Sequence, residues 1–528
     1  MNKTLRTMTC LLMSLLMLLA YTPGFAEETP TLTIFIEECV TIEDFETNAA
    51  TMWLQEQLGC ELDFIVAPTG SAAEKANILL NSGDYPDIFY RTVPSENLYG
   101  VEAGILIDLT DYIYNADMMP NLAYIREIRP DLIPQCVCTD GKIYSFPNYT
   151  ECYHCQFGNK MFYNKALLES IGKEVPTTID EFYDCLVEFK EQYPDGIPYA
   201  GCTDGAACPW AFLTNAWTYS TFNTATPGAL GLRNHDGTIE SIVDDEEYRE
   251  ALRFINKIYT EGLLYEGSFT MDGTQLKALL ASETPVLFWG AGNNVSYVDG
   301  NATPELYANE KPLVPLIGPD GAQYTSFFMP SPTPGIAITT ACEDIDLAIR
   351  FVDIQYSTIG YWITNEGREG IEWKWAEEGQ TWVTGMPSIA YRTGAYIATL
   401  NNVKWEPRAL QIQIDEIKAG VFDEATYNEE NVADGGTYRA KMTADFYAPY
   451  QSEEYKTLPA LKFSSDEEEE LSMLSVSLEN YVAESRIAFI TGNLSLDTDW
   501  DAYVSGLMSM GLDTAIDLYQ TAFSRSNG

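Results

Sequence analysis

The sequence predicts an α/β fold around a parallel, doubly wound sheet, in a chain long enough for two lobes. Strand-like and helix-spaced segments alternate from residue 31 to residue 90, the pattern of strands linked by crossover helices. The chain has 528 residues, more than one hydrophobic core ordinarily serves.

The elements follow in order. TLTIFIEE (31–38) alternates Leu32, Ile34 and Ile36 with Phe35 on the other face, which suits a strand buried on both sides. Ala50, Trp53, Leu54 and Leu58 have helical spacing, and Gly59 ends the helix. ELDFIVAP (61–68) is a second strand, and a helix over 71–81 leads through Ser82-Gly83-Asp84 to a short third strand, Asp87-Ile88-Phe89-Tyr90. Asp84 and Asp87 are expected to shape the turn, because Asp side chains bond nearby backbone. In a doubly wound sheet ligands gather beyond the carboxyl ends of the strands, so topology alone makes Glu37, Glu38, Tyr90 and Arg91 rim candidates.

Mixed α/β signals continue without an internal repeat. DGKIYSFPN (140–148) reads as a turn, a strand and a proline bend, and 160–163 as a strand. Thr178, three residues before Glu181, is placed to cap a helix. A helix over 245–261 turns Leu252, Ile255 and Ile258 inward; PVLFWG (285–290) is a buried strand. The acidic run after Ser464 suits a helix start, where carboxylates complement the N-terminal dipole. With no low-complexity linker, the lobes are expected to be joined by structured crossings.

Residues 1–26 read as a secretory signal peptide: Lys3 and Arg6 precede an apolar run from Leu11 to Ala20, with Gly24 and Ala26 placed for cleavage before Glu27. No later stretch approaches the roughly 18–20 apolar residues of a membrane helix. An exported, soluble, monomeric chain is expected, extracellular or associated with the cell envelope. Thirty basic against 78 acidic residues give a net charge of −48, which repels phosphate backbones and argues against nucleic acid. Of 11 cysteines Cys10 falls in the signal, and ten in so long a chain do not make a disulfide scaffold. Cys136, Cys138, Cys152, His154 and Cys155 form the one tempting cluster, open to disulfides, free thiols or zinc, but their spacing is not one of the usual paired zinc patterns.

NILLNSGDYPDIFY (77–90), DGKIYSFPNY (140–149) and MFYNKALLESIGKEVPTTIDEFYDCLVEFKEQYPDG (161–196) begin a series of segments that resembles a known family. LLYEGSFTMDGTQLKALLASETPVLFWGAGN (263–293), DLAIRFVDIQYSTIGYWITNEGREGIEW (346–373) and ITGNLSLDTDWDAYVSGLMSMGLDTAIDLYQTAFSR (490–525) continue it. In this order they resemble the family 1 extracellular solute-binding proteins of ABC importers, in the long LplA-like, sugar-binding subgroup. The resemblance implies a type II-like two-lobed periplasmic-binding-protein fold with a cleft between hinged lobes and C-terminal additions. It places crossings near 148–153, 289–293 and 334–338, with lobe one as 27–149 plus 290–335 and lobe two as 150–289 plus 336–528. Many relatives carry a lipid-anchoring Cys after the signal; no such lipobox is evident here.

The implied function is capture of a carbohydrate, an oligosaccharide by preference, for delivery to ABC permease subunits. A peptide or other envelope ligand is the alternative and a secreted glycosidase the weaker one. A sugar site needs aromatic faces against ring C–H surfaces and polar groups for the hydroxyl edges. The candidates are Glu37, Glu38 and Tyr90 on the first lobe's rim, Trp210 and Trp217 in the second lobe, Trp289 and Asn293 at an inferred crossing, and Trp362 and Arg368 after the mid-chain helix. Neither His154 nor His235 sits in a metalloprotease motif or a nucleophile elbow, His235 reading as a turn residue, and there is no Gly-rich phosphate loop. No catalytic residue, metal or cofactor is therefore assigned, although a glycosidase-type carboxylate pair need not be close in sequence.

Overall fold

The structure, a computed structural model, describes residues 29–222, 229–292, 294–300, 302–397, 399–420 and 432–526; the signal segment and Asn293 lie outside them. β1 (Thr31–Glu37) and β2 (Glu61–Ala67) run parallel in register from Thr31↔Glu61 to Glu37↔Ala67. The connecting helix α1 (Ala49–Leu58) is capped by the Asn48 side chain, which accepts from the Ala50 N–H at 3.0 Å, and ends on Gly59 in the left-handed region. α2 (Ala72–Ser82) leads to β3 (Ile88–Tyr90), parallel to β1. Asp87 does more than shape the turn expected of it. Its carboxylate accepts from the Thr33 N–H at 2.7 Å and the Thr33 hydroxyl at 2.8 Å, tying β3 to β1.

β4 (Phe146–Thr150) belongs to the same sheet, and the chain then leaves for a second one. That sheet contains β5 (Met161–Asn164), β6 (Ile197–Ala200), β7 (Val286–Gly290) and β8 (Glu310–Pro312), in the order β8-β5-β7-β6. α3 (Ile179–Gln192) starts with the expected capping box of Thr178 and Glu181 and buries Phe182, Leu186 and Phe189. α4 (Glu246–Thr260) buries the expected Leu252, Ile255 and Ile258.

β9 (Thr333–Ile338) returns to the first sheet, inserting antiparallel between β3 and β4. α5 (Ile345–Gln355), α6 (Thr358–Glu366) and β10 (Ile412–Gln413) follow, and β10 extends the sheet beside β4 to give β10-β4-β9-β3-β1-β2. Lobe two is completed by α7 (Val432–Tyr447), the long α8 (Ser465–Thr491), α9 (Trp500–Ser509) and α10 (Leu512–Ser526). α8 packs on α4: Leu478, Val482 and Phe489 share a core with Leu252 and Ile255, and the Asn256 amide donates to the Phe489 and Ile490 carbonyls.

The expected lobe boundaries need correction. Residues 290–316 stay with the second lobe, because β8 pairs with β5 and Leu313 and Leu316 join that lobe's core. Residues 336–417 belong to the first, because β9 hydrogen bonds to both β3 and β4 and Trp373, Trp405, Leu410 and Ile412 fill its core. The chain therefore passes between lobes at 150–161, at 317–333 and after 420. No crossing lies at 289–293, where β7 is in the interior of its sheet.

Trp405 centres the first core. It is fully buried, meets Tyr90 and Phe64 edge-on at 5.4 and 5.8 Å, and donates its indole N–H to the Thr51 hydroxyl at 2.9 Å. Trp405→Ala is expected to cost about 3–5 kcal/mol, read as a lower urea midpoint. In lobe two the buried Glu310 accepts from the Ser296 hydroxyl and from Arg439 at 3.1 Å, yet burial pushes its carboxyl up to about 7. The folded chain thus holds this proton more tightly than the unfolded chain, and the stabilising contribution weakens as pH rises from about 4.5 to about 7. Glu310→Gln should flatten the dependence of the urea midpoint on pH across that window; an unchanged slope would remove Glu310 as its source.

Candidate functional site

Strand direction decides which edges face each other. β1, β3 and β4 are mutually parallel, so Glu37, Tyr90 and Thr150 end together at the edge where β9 enters and β4 leaves for lobe two. In lobe two the same passage delivers the chain to the start of β5, beside the carboxyl ends of β7 and β6. The groove between these edges is the candidate site.

On the first rim Glu37 and Arg408 form an ion pair at 2.7 Å, and Glu37 also accepts from the Gly70 N–H at 2.8 Å. Glu38 accepts from the Thr69 N–H through its side chain, while its carbonyl takes bonds from Arg408 at 3.1 and 3.3 Å. Both glutamates thus lie where topology predicted, engaged in holding the rim loops. Arg91 follows directly after β3, with φ of 61° and its N–H bonded to the Gly335 carbonyl at 2.7 Å.

The crossing itself is densely bonded. The Tyr153 hydroxyl donates to Asp415 at 2.5 Å and accepts from the Trp382 indole at 3.0 Å. Arg129 grips Glu151 through two bonds of 2.5 and 2.9 Å and reaches Glu416 at 3.3 Å. Cys152 and Cys155 are disulfide-bonded. The fully buried Lys160 ammonium donates to the His154 and Phe157 carbonyls at 2.8 and 2.9 Å, and burial without a carboxylate drives its pKa well below the ordinary lysine value. On the lobe two rim Gly290 and Gly292 let the 205–207 turn lie against the end of β7: a Cβ on either would stand 2.5 or 2.7 Å from Ala207 backbone.

The predicted aromatic candidates divide. Trp210 and Trp217 are half-buried in the segment that follows β6 and pack on the lobe-two core, Trp210 against Phe269 with the Arg486 guanidinium 5.1 Å from its ring centre and Trp217 against Phe254. Trp289 is fully buried in the second sheet, and Trp362 is buried with its indole N–H donating to the Ile417 carbonyl at 2.9 Å. Tyr90 is also fully buried; its hydroxyl donates to Gln355 at 2.6 Å and accepts from the Leu410 N–H at 2.7 Å. Placing these three rings in the groove is thus corrected: β3 alternates Phe89 to one core and Tyr90 to the other, and no ring face of the three is left to stack a ligand. Arg368 is committed to Glu372 through bonds of 2.6 and 3.1 Å. Sequence reasoning missed Trp382, Tyr153 and Arg408, which tertiary pairing alone brings to the rim.

The cysteines do not assemble a four-thiolate site. Although ligand atoms of Cys152, His154 and Cys155 lie within 4.8 Å of one another, the disulfide occupies both sulfurs. Cys136 and Cys138 are buried in separate apolar clusters, with burial pushing both thiols up to about 12.

A family model for "Bacterial extracellular solute-binding protein" matches residues 41–361. The fructooligosaccharide ABC transporter substrate-binding protein FusA of Streptococcus pneumoniae serotype 4 is 22% identical over 492 residues, which cover 89% of this chain and 86% of FusA. Among solved structures, an extracellular solute-binding protein from Bifidobacterium longum subsp. infantis superposes with a TM-score of 0.77 at 18% identity, covering 95% of this chain and 99% of that one. The FusA EF-hand mutant of S. pneumoniae in complex with fructo-nystose gives 0.68 at 20% identity, covering 94% and 99%. These likenesses show the two-lobed fold.

Tyr90→Phe leaves the buried Leu410 N–H without its acceptor, so a loss of about 1–3 kcal/mol is expected in urea unfolding. Because the ring faces the core, the variant's affinity for whatever fills the groove should equal that of the parent chain; a weaker affinity at unchanged stability would return Tyr90 to the site.

Proposed function

The chain belongs to the bacterial extracellular solute-binding proteins, and on that premise we propose that it captures an oligosaccharide between its lobes and delivers it to the permease subunits of an ABC importer. The observation that carries this reading is the likeness to FusA along most of both chains, FusA being a fructooligosaccharide-binding protein by name. The groove chemistry is compatible: the half-buried Trp382, Trp210 and Trp217 offer aromatic surface, and Glu37 with Arg408 offers polar groups for hydroxyls. Glu38 and Arg368 stay in the reading as outer contacts and Asn293, outside the described residues, as a ligand-binding candidate, while Tyr90, Trp289 and Trp362 belong to the cores.

Binding would work through differential affinity for the closed arrangement of lobes, with no bond of the ligand broken. The chain acts as an exported monomer outside the membrane; among the described residues no helix is long and apolar enough to cross one.

A panel of oligosaccharides, screened by thermal shift and then calorimetry, tests the reading. A true ligand at about a hundred times its Kd adds about 2.7 kcal/mol of stability, and the saccharide should be recovered intact. Failure of every saccharide to move the melting temperature would sink the proposal, and shortened saccharide in the recovered fraction would replace it with glycoside hydrolysis.

A further inference from the structure

Arg91 differs from the other shielded arginines. Arg129, Arg233, Arg249, Arg408 and Arg439 each hold a carboxylate, Arg126 holds the Ile113 carbonyl and lies over the Tyr114 ring, and Arg486 holds the Tyr248 hydroxyl and the Ala229 carbonyl. Among the described residues the half-buried Arg91 guanidinium meets no hydrogen-bond acceptor, ion-pair partner or aromatic face. In a chain with 78 acidic and 30 basic residues, carboxylates are not in short supply.

Its backbone is unusual as well. Arg91 and Asp236 are the described non-glycine residues with positive φ. Asp236 sits beside Gly237 in a hairpin turn, a setting its short polar side chain tolerates. Arginine has no such local excuse, and strain of this kind persists where surrounding structure enforces it, often at binding sites. Here the enforcement is the 2.7 Å bond from the Arg91 N–H to Gly335, which fixes the residue at the carboxyl end of β3 on the groove rim.

The local electrostatics leave that charge uncompensated. The Arg91 pKa is lowered, mainly by burial, which outweighs the opposing effect of Tyr90, and further by the like charge of Arg408, whose own partner Glu37 is already occupied. The distant carboxylates that make the chain acidic are screened beyond about 8 Å at physiological salt, so near neighbours dominate. A planar guanidinium matches a carboxylate through two parallel bonds, and charge-assisted bonds are about twice as strong as those to neutral hydroxyls.

We propose that Arg91 is the specificity-determining residue of the groove, docking an anionic substituent of the captured oligosaccharide, a carboxylate such as that of a uronic acid. This rests on the oligosaccharide reading above and narrows its ligand class to acidic saccharides.

Calorimetry on the full mature chain, comparing uronate oligomers with size-matched neutral hexose oligomers, tests it. The parent chain should bind an acidic oligomer at least tenfold more tightly than its neutral counterpart. Arg91→Asn keeps a residue type that tolerates positive φ, so its melting temperature should equal or exceed the parent's while acidic affinity falls at least tenfold and neutral affinity changes little. Arg91→Lys, which keeps the charge without the fork, should recover part of the loss. Preference for neutral oligomers, or undiminished acidic binding by Arg91→Asn, overturns the anionic-ligand inference and leaves oligosaccharide capture standing. Binding of neither series overturns both.

Discussion

The antiparallel insertion of β9 between β3 and β4 is the pairing on which the rest of the molecule depends. Without β9 the β1, β2 and β3 unit and β4 share no hydrogen-bonded strand, and the first lobe is two incomplete pieces. Because β9 comes from lobe two and enters at Thr333 opposite Asn148, its pairing turns the carboxyl ends of β1, β3 and β4 toward that lobe. The same strand supplies the Gly335 carbonyl that holds the Arg91 backbone and brings the 336–417 segment, with Trp405, onto the face where Tyr90 is buried. Core, rim and crossing are consequences of one register.

The passage between lobes combines stiffness and freedom in a defined way. β10, β4 and β9 lie side by side where the chain leaves and re-enters lobe one, so β4 and β9 are each braced by two neighbours through backbone bonds and β10 by one. Beyond β4 the restraint passes to side chains: the Cys152–Cys155 disulfide, Arg129 between Glu151 and Glu416, and Lys160 beneath the 154–157 turn.

Much of the fold was legible in the sequence. The first three strands and two helices follow from periodicity and from glycine stops, Thr178 forms the capping box its spacing suggests, and the acidic run after Ser464 opens a helix as expected. What was not legible is lobe membership. β8 and β9 are short, and neither carries a local signal of which sheet it completes; the choice is made by hydrogen-bond partners more than 100 residues away. Tyr90, Trp289 and Trp362 failed as groove candidates for a related reason. A Trp or Tyr with apolar neighbours reads alike whether its face is sealed in a core, as for Trp289 and Tyr90, or left at an edge, as for Trp382. The strand-end rule placed Glu37, Glu38 and Arg91 at the rim from sequence alone, but it named Tyr90 as well, whose ring the alternation of β3 turns into the core.

A second connection between the lobes, made by side chains beside β4 and β9, constrains how they can move. The start of α8, in lobe two, reaches lobe one: Lys462 pairs with the buried Glu96 at 2.8 Å, and Asn97 donates to the Phe463 carbonyl and to Glu468, both at 2.8 Å. Glu96 in turn accepts from the Ser145 hydroxyl at 2.7 Å, one residue before β4, so this contact and the crossing share a strand. The pocket beside it is lined by Pro334 of β9 as well as by Leu461 and Phe463. A rotation that opened the groove widely would stretch these charge-assisted bonds, whereas one pivoting close to them would leave them intact. Since breaking a buried Lys–Glu pair leaves Glu96 uncompensated, the second path is the cheaper. A lobe rotation that keeps these bonds is one that turns close to where β4 and β9 meet the start of α8.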